Sequence, residues 1–171
     1  MDFYDVLKRR HSVRAFQDRS VEGGKLRQII SAFTLSPSAG NLQAYIVYIV
    51  KEKRMKEELA SAALDQSFIA EAPVVLVFCA DQRRSEIRYG ERGAQLYSIQ
   101  DATIAAAYAQ LAATAEGLGS VWVGAFDPLE VSRIVNAGPY TVPVALIPIG
   151  YPAEQPSRRE RREIKEIVKE L

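Results

Sequence analysis

Between residues 94 and 116 the chain carries apolar residues on several helical faces at once, among them Leu96, Ile99, Ala102, Ile104, Ala106, Tyr108 and Leu111. A helix that is apolar most of the way round is either central to a core or pressed against a second subunit. The rest of the chain must fold to cover it. Gly117 and Gly119 end the stretch. With 171 residues, the chain has enough length for one domain with a substantial core, and no repeat or linker divides it.

Around that helix the periodicity predicts others over 2–10, 23–34, 52–63 and from Asp127 or Pro128 to about Val135. Strands are predicted over 45–50, 74–80, 121–126 and 142–150. Residues 11–20 read as a polar loop, and 81–93 as a charged, exposed stretch. Ser36-Pro37-Ser38-Ala39-Gly40-Asn41 is a dense cluster of helix breakers. Helices alternating with a few strands imply an α+β or α/β layered domain. The order is not that of a dinucleotide-binding fold. Gly117 and Gly119 follow a helix and precede a strand, the reverse of what a phosphate-cradling glycine turn needs.

Composition removes several kinds of chemistry. Net charge is +1, so nothing global favours nucleic acid or a membrane surface. There is one cysteine and one histidine, too few for a zinc centre. Cys79 sits in the apolar run Val74 to Ala80 and reads as core packing. No G-x-S-x-G elbow is present for a hydrolase. The first ten residues lack the apolar core of a signal peptide and no apolar run is long enough to span a bilayer, so the cytoplasm is the expected address. Any redox or group-transfer chemistry must then come from a borrowed cofactor.

Five segments could hold one. Arg9-Arg10-His11-Ser12-Val13-Arg14 places three guanidinium groups and a hydroxyl within six residues, which suits a phosphate. By composition alone it is equally a solvated helix C-terminus, where cations are favoured. Ser36 to Gln43 offers small residues and the amides of Asn41 and Gln43, or is merely a loop before a strand. Gly119 to Phe126 is a strand ending in small residues, with Trp122 inside it. Pro148 to Pro152 closes the last strand. Arg158-Arg159-Glu160-Arg161-Arg162 then puts four cations in five residues, a phosphate site or a solvated tail.

Taken together, "RRHSVRAF" (9–16), "SPSAGNLQAY" (36–45), "QDATIAAAYAQLAATAEGLGSVWVGAF" (100–126) and "IPIGYP" (147–152), in this order and spacing, resemble the nitroreductase family. The resemblance implies an α+β fold with a central, mainly antiparallel sheet flanked by helices, in an intertwined homodimer with FMN at the interface. It assigns Arg10, His11, Ser12 and Arg14 to the phosphate, ribityl chain and pyrimidine edge. It sends the loop with Pro37, Ser38, Ala39 and Asn41 to the partner subunit's flavin. Val123, Gly124 and Ala125, with Trp122, fall beside the ring, a backbone N–H near N5. Arg159 and Arg161 fall on the phosphate. Ala44 and Tyr45 depart from a common Pro-Trp pair, and the chain is short for the family.

The implied chemistry is ping-pong: NADH or NADPH reduces the flavin, and a small-molecule acceptor such as a nitroaromatic or quinone reoxidises it. No side chain need act as acid or base. Two alternatives stay open: other flavin chemistry on the same fold (dehalogenase, ene-type reductase or flavin fragmentation), and a non-catalytic FMN-binding protein. Residues 163–171 have helical spacing at Ile164, Ile167, Val168 and Leu171. The resemblance instead makes about 157–171 an extended arm that adds to the partner's sheet, and the arm is the expectation adopted here.

Overall fold

The computed structural model describes residues 2–157 and 159–171. Arg158 of the arginine run therefore lies outside the described residues.

The centre is strand β2, Val74–Asp81, whose residues are buried from Val74 through Ala80. A strand covered on both faces reads as a continuous apolar run rather than an alternation. Strand β1, Tyr45–Val50, pairs antiparallel on one side of it, and the long strand β4, Thr141–Gly150, on the other. The short strand β3, Gly119–Ser120, pairs with the end of β4, so the sheet order is β1-β2-β4-β3.

Alternate residues of β2 feed two cores. On one face Val74, Leu76 and Phe78 meet Leu26, Ile29 and Phe33 of helix α2 (Gly23–Thr34) and the alanines of helix α6 (Ser98–Ala115). On the other, Val75, Val77 and Cys79 meet Leu59 of helix α3 (Lys53–Ala62), Ile69 of the short helix α4 (Phe68–Glu71) and Val131 of helix α7 (Pro128–Ile134). Small side chains at Ala105, Ala106, Ala109 and Ala113 of α6 are fully buried, so the helix sits close on the sheet. The expectation of a central, multifaceted apolar helix holds.

One expectation needs correction, and one helix was not anticipated. Residues 82–92, largely exposed as expected, form helix α5, Gln82–Arg92. It has no apolar stripe to betray it. Asp81 starts it by accepting the Arg84 N–H at 3.0 Å, and Tyr89 packs edge-on against Tyr97 with centroids 5.2 Å apart. The apolar helix starts near its expected bound: Gly90 (φ 60°, ψ −152°) separates it from the first turns of α5, and a π-turn over Gly93–Tyr97 runs directly into α6 at Ser98. Residues 121–126 are not a strand. Val121 and Val123 are buried as inward strand positions would be, but among the described residues this segment pairs only through a bridge between Val123 and Leu146.

Helix α1 (Phe3–Arg9) buries only Val6. The face expected to be apolar is there, yet Phe3 and Leu7 look outward. The tail is exposed throughout its described residues, with a single turn, α8, at Ile164–Ile167.

Candidate functional site

The polar loop after α1 is stitched to the edge of the sheet. Val13 N–H donates to the Ser120 carbonyl at 3.1 Å, Gln17 N–H to Tyr151 at 2.9 Å, and Ala153 N–H to Ala15 at 2.9 Å. Ser12 bridges Ser120, and Phe16 bridges Pro152. Gly119 makes this approach feasible: a Cβ there would stand 2.8 Å from the Val13 side chain. The loop is thus held between β3 and the chain leaving β4.

That chain has its own anchor. The Tyr151 hydroxyl lies 2.9 and 2.7 Å from the two Glu22 oxygens. The Arg19 guanidinium sits 3.7 Å over the Tyr151 ring and bonds Glu22 at 2.8 Å. The Tyr151 hydroxyl, and then Arg19, hold the Glu22 carboxyl down at about 2.

The result is a cleft of about 720 Å³ into which residues far apart in sequence converge. Arg10, His11, Ser12 and Arg14 line it together with Arg159 and Arg161, and Lys8 adds charge. Arg10 caps α1, its N–H bonding the Val6 carbonyl, so its side chain leaves where the helix dipole favours a cation. One carboxylate intrudes: Glu154 accepts the Arg14 backbone N–H. An anion already finds a donor here, and guanidinium groups with a hydroxyl are the donor set of a phosphate monoester.

The loop with Pro37, Ser38 and Ala39 lines a different cavity, about 550 Å³, with Tyr97, Gln100 and Asp101. Asn41 is in a left-handed conformation (φ 56°), its side chain accepting from Gln43 Nε2 at 2.8 Å. Residues 122–125 line neither cavity. Val123 exchanges two 3.0 Å bonds with Leu146, while Gly124 and Ala125 stand exposed beyond it. Gln66 Nε2 donates to the Ala125 carbonyl at 3.3 Å, and Asp127 N–H to the Ala62 carbonyl at 2.8 Å. The segment is pinned at both ends with its middle open. Trp122 is half-buried against the α2–α6 core.

One chain therefore assembles the expected phosphate group of residues, but leaves the 37–41 loop and the 123–125 segment apart from it. Three residues escaped the sequence reading. Glu154 and Gln66 give no pattern. Asp101 does leave a signal, as a lone carboxylate in an apolar helix that must find partners when buried.

The sequence matches the family model described as Nitroreductase family over residues 7–68 and 54–151. The chain belongs to the nitroreductase family. Its relatives include an NADH dehydrogenase of Thermus thermophilus, 33% identical over 190 residues, which span 95% of this chain and 92% of that one. An FMN reductase (NAD(P)H) of Bacillus subtilis is 33% identical over 163 residues, 88% of this chain and 66% of its own. A crystal structure of a nitroreductase family protein from Streptococcus pneumoniae superposes with a TM-score of 0.90 at 26% identity, covering 99% of this chain and 100% of that one. This family member thus has the expected α+β fold, shared with that structure over 99% of the chain. No helix among its described residues is long and apolar enough to cross a membrane.

Proposed function

We propose that the protein is an FMN-dependent oxidoreductase that uses NADH or NADPH to reduce nitroaromatic, quinone or similar acceptors, and that it works as a homodimer. The observation that carries this is the cleft where Arg10, His11, Ser12 and Arg14 meet Arg159 and Arg161. Its cations bind the terminal phosphate, which makes it a dead end suited to FMN. The exposed backbone of Gly124 and Ala125, with Val123 behind it, faces the ring. When bound, FMN would supply the redox chemistry between the nicotinamide donor and the acceptor. The protein would orient both reactants, with its cations holding the phosphate. Relatives named as an NADH dehydrogenase and an FMN reductase support the assignment.

Several surfaces favour a dimer. Phe3 is 62% exposed on α1, next to Tyr4 and Leu7, and Tyr108 is exposed on α6. Large apolar side chains gathered on two packed helices call for a cover. The outer edge of β1 is free, with Ile46 and Ile49 exposed, and the tail holds Ile164, Ile167 and Val168 away from its own chain. A tail from one subunit adding to an open edge on the other satisfies both. The 37–41 loop, apart from the cation cleft in one chain, then serves the partner's flavin.

The deciding experiment is a spectrum of the purified protein reconstituted with FMN. It should be yellow, bleach under anaerobic NADH or NADPH, and recover colour on adding a quinone. A protein that stays colourless after reconstitution refutes the assignment. One that binds FMN but never bleaches is a flavin-binding protein without this activity.

A further inference from the structure

The turn between Ala39 and Ala44 is strained. Gly40, Asn41 and Gln43 have φ of 54°, 56° and 47°; glycine and asparagine adopt that region readily, but for Gln43 it carries a cost in free energy. Such a conformation persists where its surroundings over-determine it. Most of the bonds holding this turn are exposed. Gln43 N–H donates to Ser38 Oγ at 2.9 Å, Arg84 Nε donates to the Leu42 carbonyl, and Arg88 donates to Gly40 at 3.4 Å. Water competes for each of them.

Two anchors are shielded: the Asp81 N–H donates to the carbonyl of fully buried Ala44 at 2.9 Å, and both ends of the turn are bound by Asp101. It lies on α6 with 1% of its surface exposed. One carboxylate oxygen accepts the Ala39 N–H at 2.9 Å and the other accepts the Ala44 N–H at 3.2 Å. Those two amides bracket the turn. A carboxylate is costly to bury unless hydrogen-bonded, and charge-assisted bonds to backbone N–H are the stronger kind. The charge lies inside an otherwise alanine-rich stretch of helix, where an apolar residue would pack more readily.

We infer that Asp101 is a positioning residue for the flavin: its buried carboxylate holds both ends of the 39–44 turn to α6 and so keeps the loop in its ring-facing conformation. The inference rests on the flavin reading above. Because the loop addresses the ring and not the phosphate, Asp101 governs affinity for FMN and for riboflavin alike. Arg10 and Arg14 govern the first alone.

The test is Asp101→Asn, which keeps the shape but turns an NH₂ group toward one of the two amides. The folded variant should bind FMN and riboflavin at least tenfold more weakly, with the ratio of the two Kd values unchanged. In the ligand-free protein, the Ala39 and Ala44 amides should exchange faster than in wild type. Ala39→Pro is the second variant, for the case in which Asp101→Asn does not fold. It deletes one bracketing N–H at the start of the 3₁₀ turn, and Ser38 before it is already extended (φ −145°, ψ 157°), as a residue preceding proline must be. The same joint loss supports the inference. A folded variant of either kind that binds both flavins as wild type does, or that loses only FMN, overturns it. Wild-type protein that binds neither flavin instead refutes the flavin reading, and the amide exchange still reports whether Asp101 holds the turn.

Discussion

Replacing Arg10 and Arg14 together with alanine removes two of the cations that line the cleft and leaves Lys8, Arg159, Arg161 and the opposing Glu154. Charge-assisted hydrogen bonds contribute roughly 1.5–3 kcal/mol each. The cleft is open and Arg14 is exposed, so solvent screening puts each contact at the low end of that range. Two contacts at about 1.5 kcal/mol give about 3 kcal/mol, on the order of a hundredfold in the FMN dissociation constant. Riboflavin has the same ring and side chain without the phosphate, and its affinity should change by less than about threefold, since these contacts are charge-assisted. Titrating ligand-free protein with each flavin and following fluorescence quenching gives both constants. Raising the salt should narrow the gap between wild type and variant for FMN, because screening acts on an open site. Equal losses for the two flavins would refute the reasoning, since the arginines would then be holding the loop and not the phosphate.

Gly124→Val should fold, because a Cβ at that position meets only the Trp122 side chain, Nε1 at 3.2 Å and Cδ1 at 3.7 Å. It should bind FMN at least tenfold more weakly or slow its reduction by NADH as strongly, as followed by stopped-flow absorbance; unchanged reduction means the ring lies elsewhere. Truncation after Pro156 removes Arg159, Arg161 and the apolar end of the tail, and should weaken both dimerisation and flavin retention. Sedimentation with flavin content measured on the same sample checks this, and a stable dimer with full FMN would reduce the tail to an appendage. Burial pushes the Cys79 thiol up to about 12, so it should resist a thiol reagent at pH 8 until the protein is denatured. Since the folded value lies above the ordinary 9.0, the stability tied to it is whole below pH 9 and drains as pH rises toward 12. Rapid native labelling would contradict the buried placement.

The elements that bury a face were legible in the sequence. The runs at 45–50, 74–80 and 142–150 and the apolar helix all form near their expected bounds because their patterns record the core. Helix α5 was not legible, since it buries only Ser85 and rests on a cap and a tyrosine pair. The segment 121–126 misled because period-two burial does not require a ladder, and only Val123 bonds across. The cation cleft was half legible. Clustered arginines announce an anion at each end of the chain, but their meeting depends on bonds such as Ala153 to Ala15 that are backbone to backbone and leave no trace in side-chain identity. Asp101 was the one positioning group that composition could have exposed.

Strand β4 also acts as a ruler. Leu146 fixes Val123, and Tyr151, one residue beyond the strand, roots the tail that carries Arg159 and Arg161. At about 3.4 Å per residue, the five steps from one to the other cover roughly 17 Å of backbone, so β4 sets how far the Val123 segment lies from the root of the tail. Inserting or deleting one residue in that interval would change the span and also turn every following side chain to the opposite face. Members of the family should therefore vary freely in the length of the α5 region and not at all between positions 146 and 151.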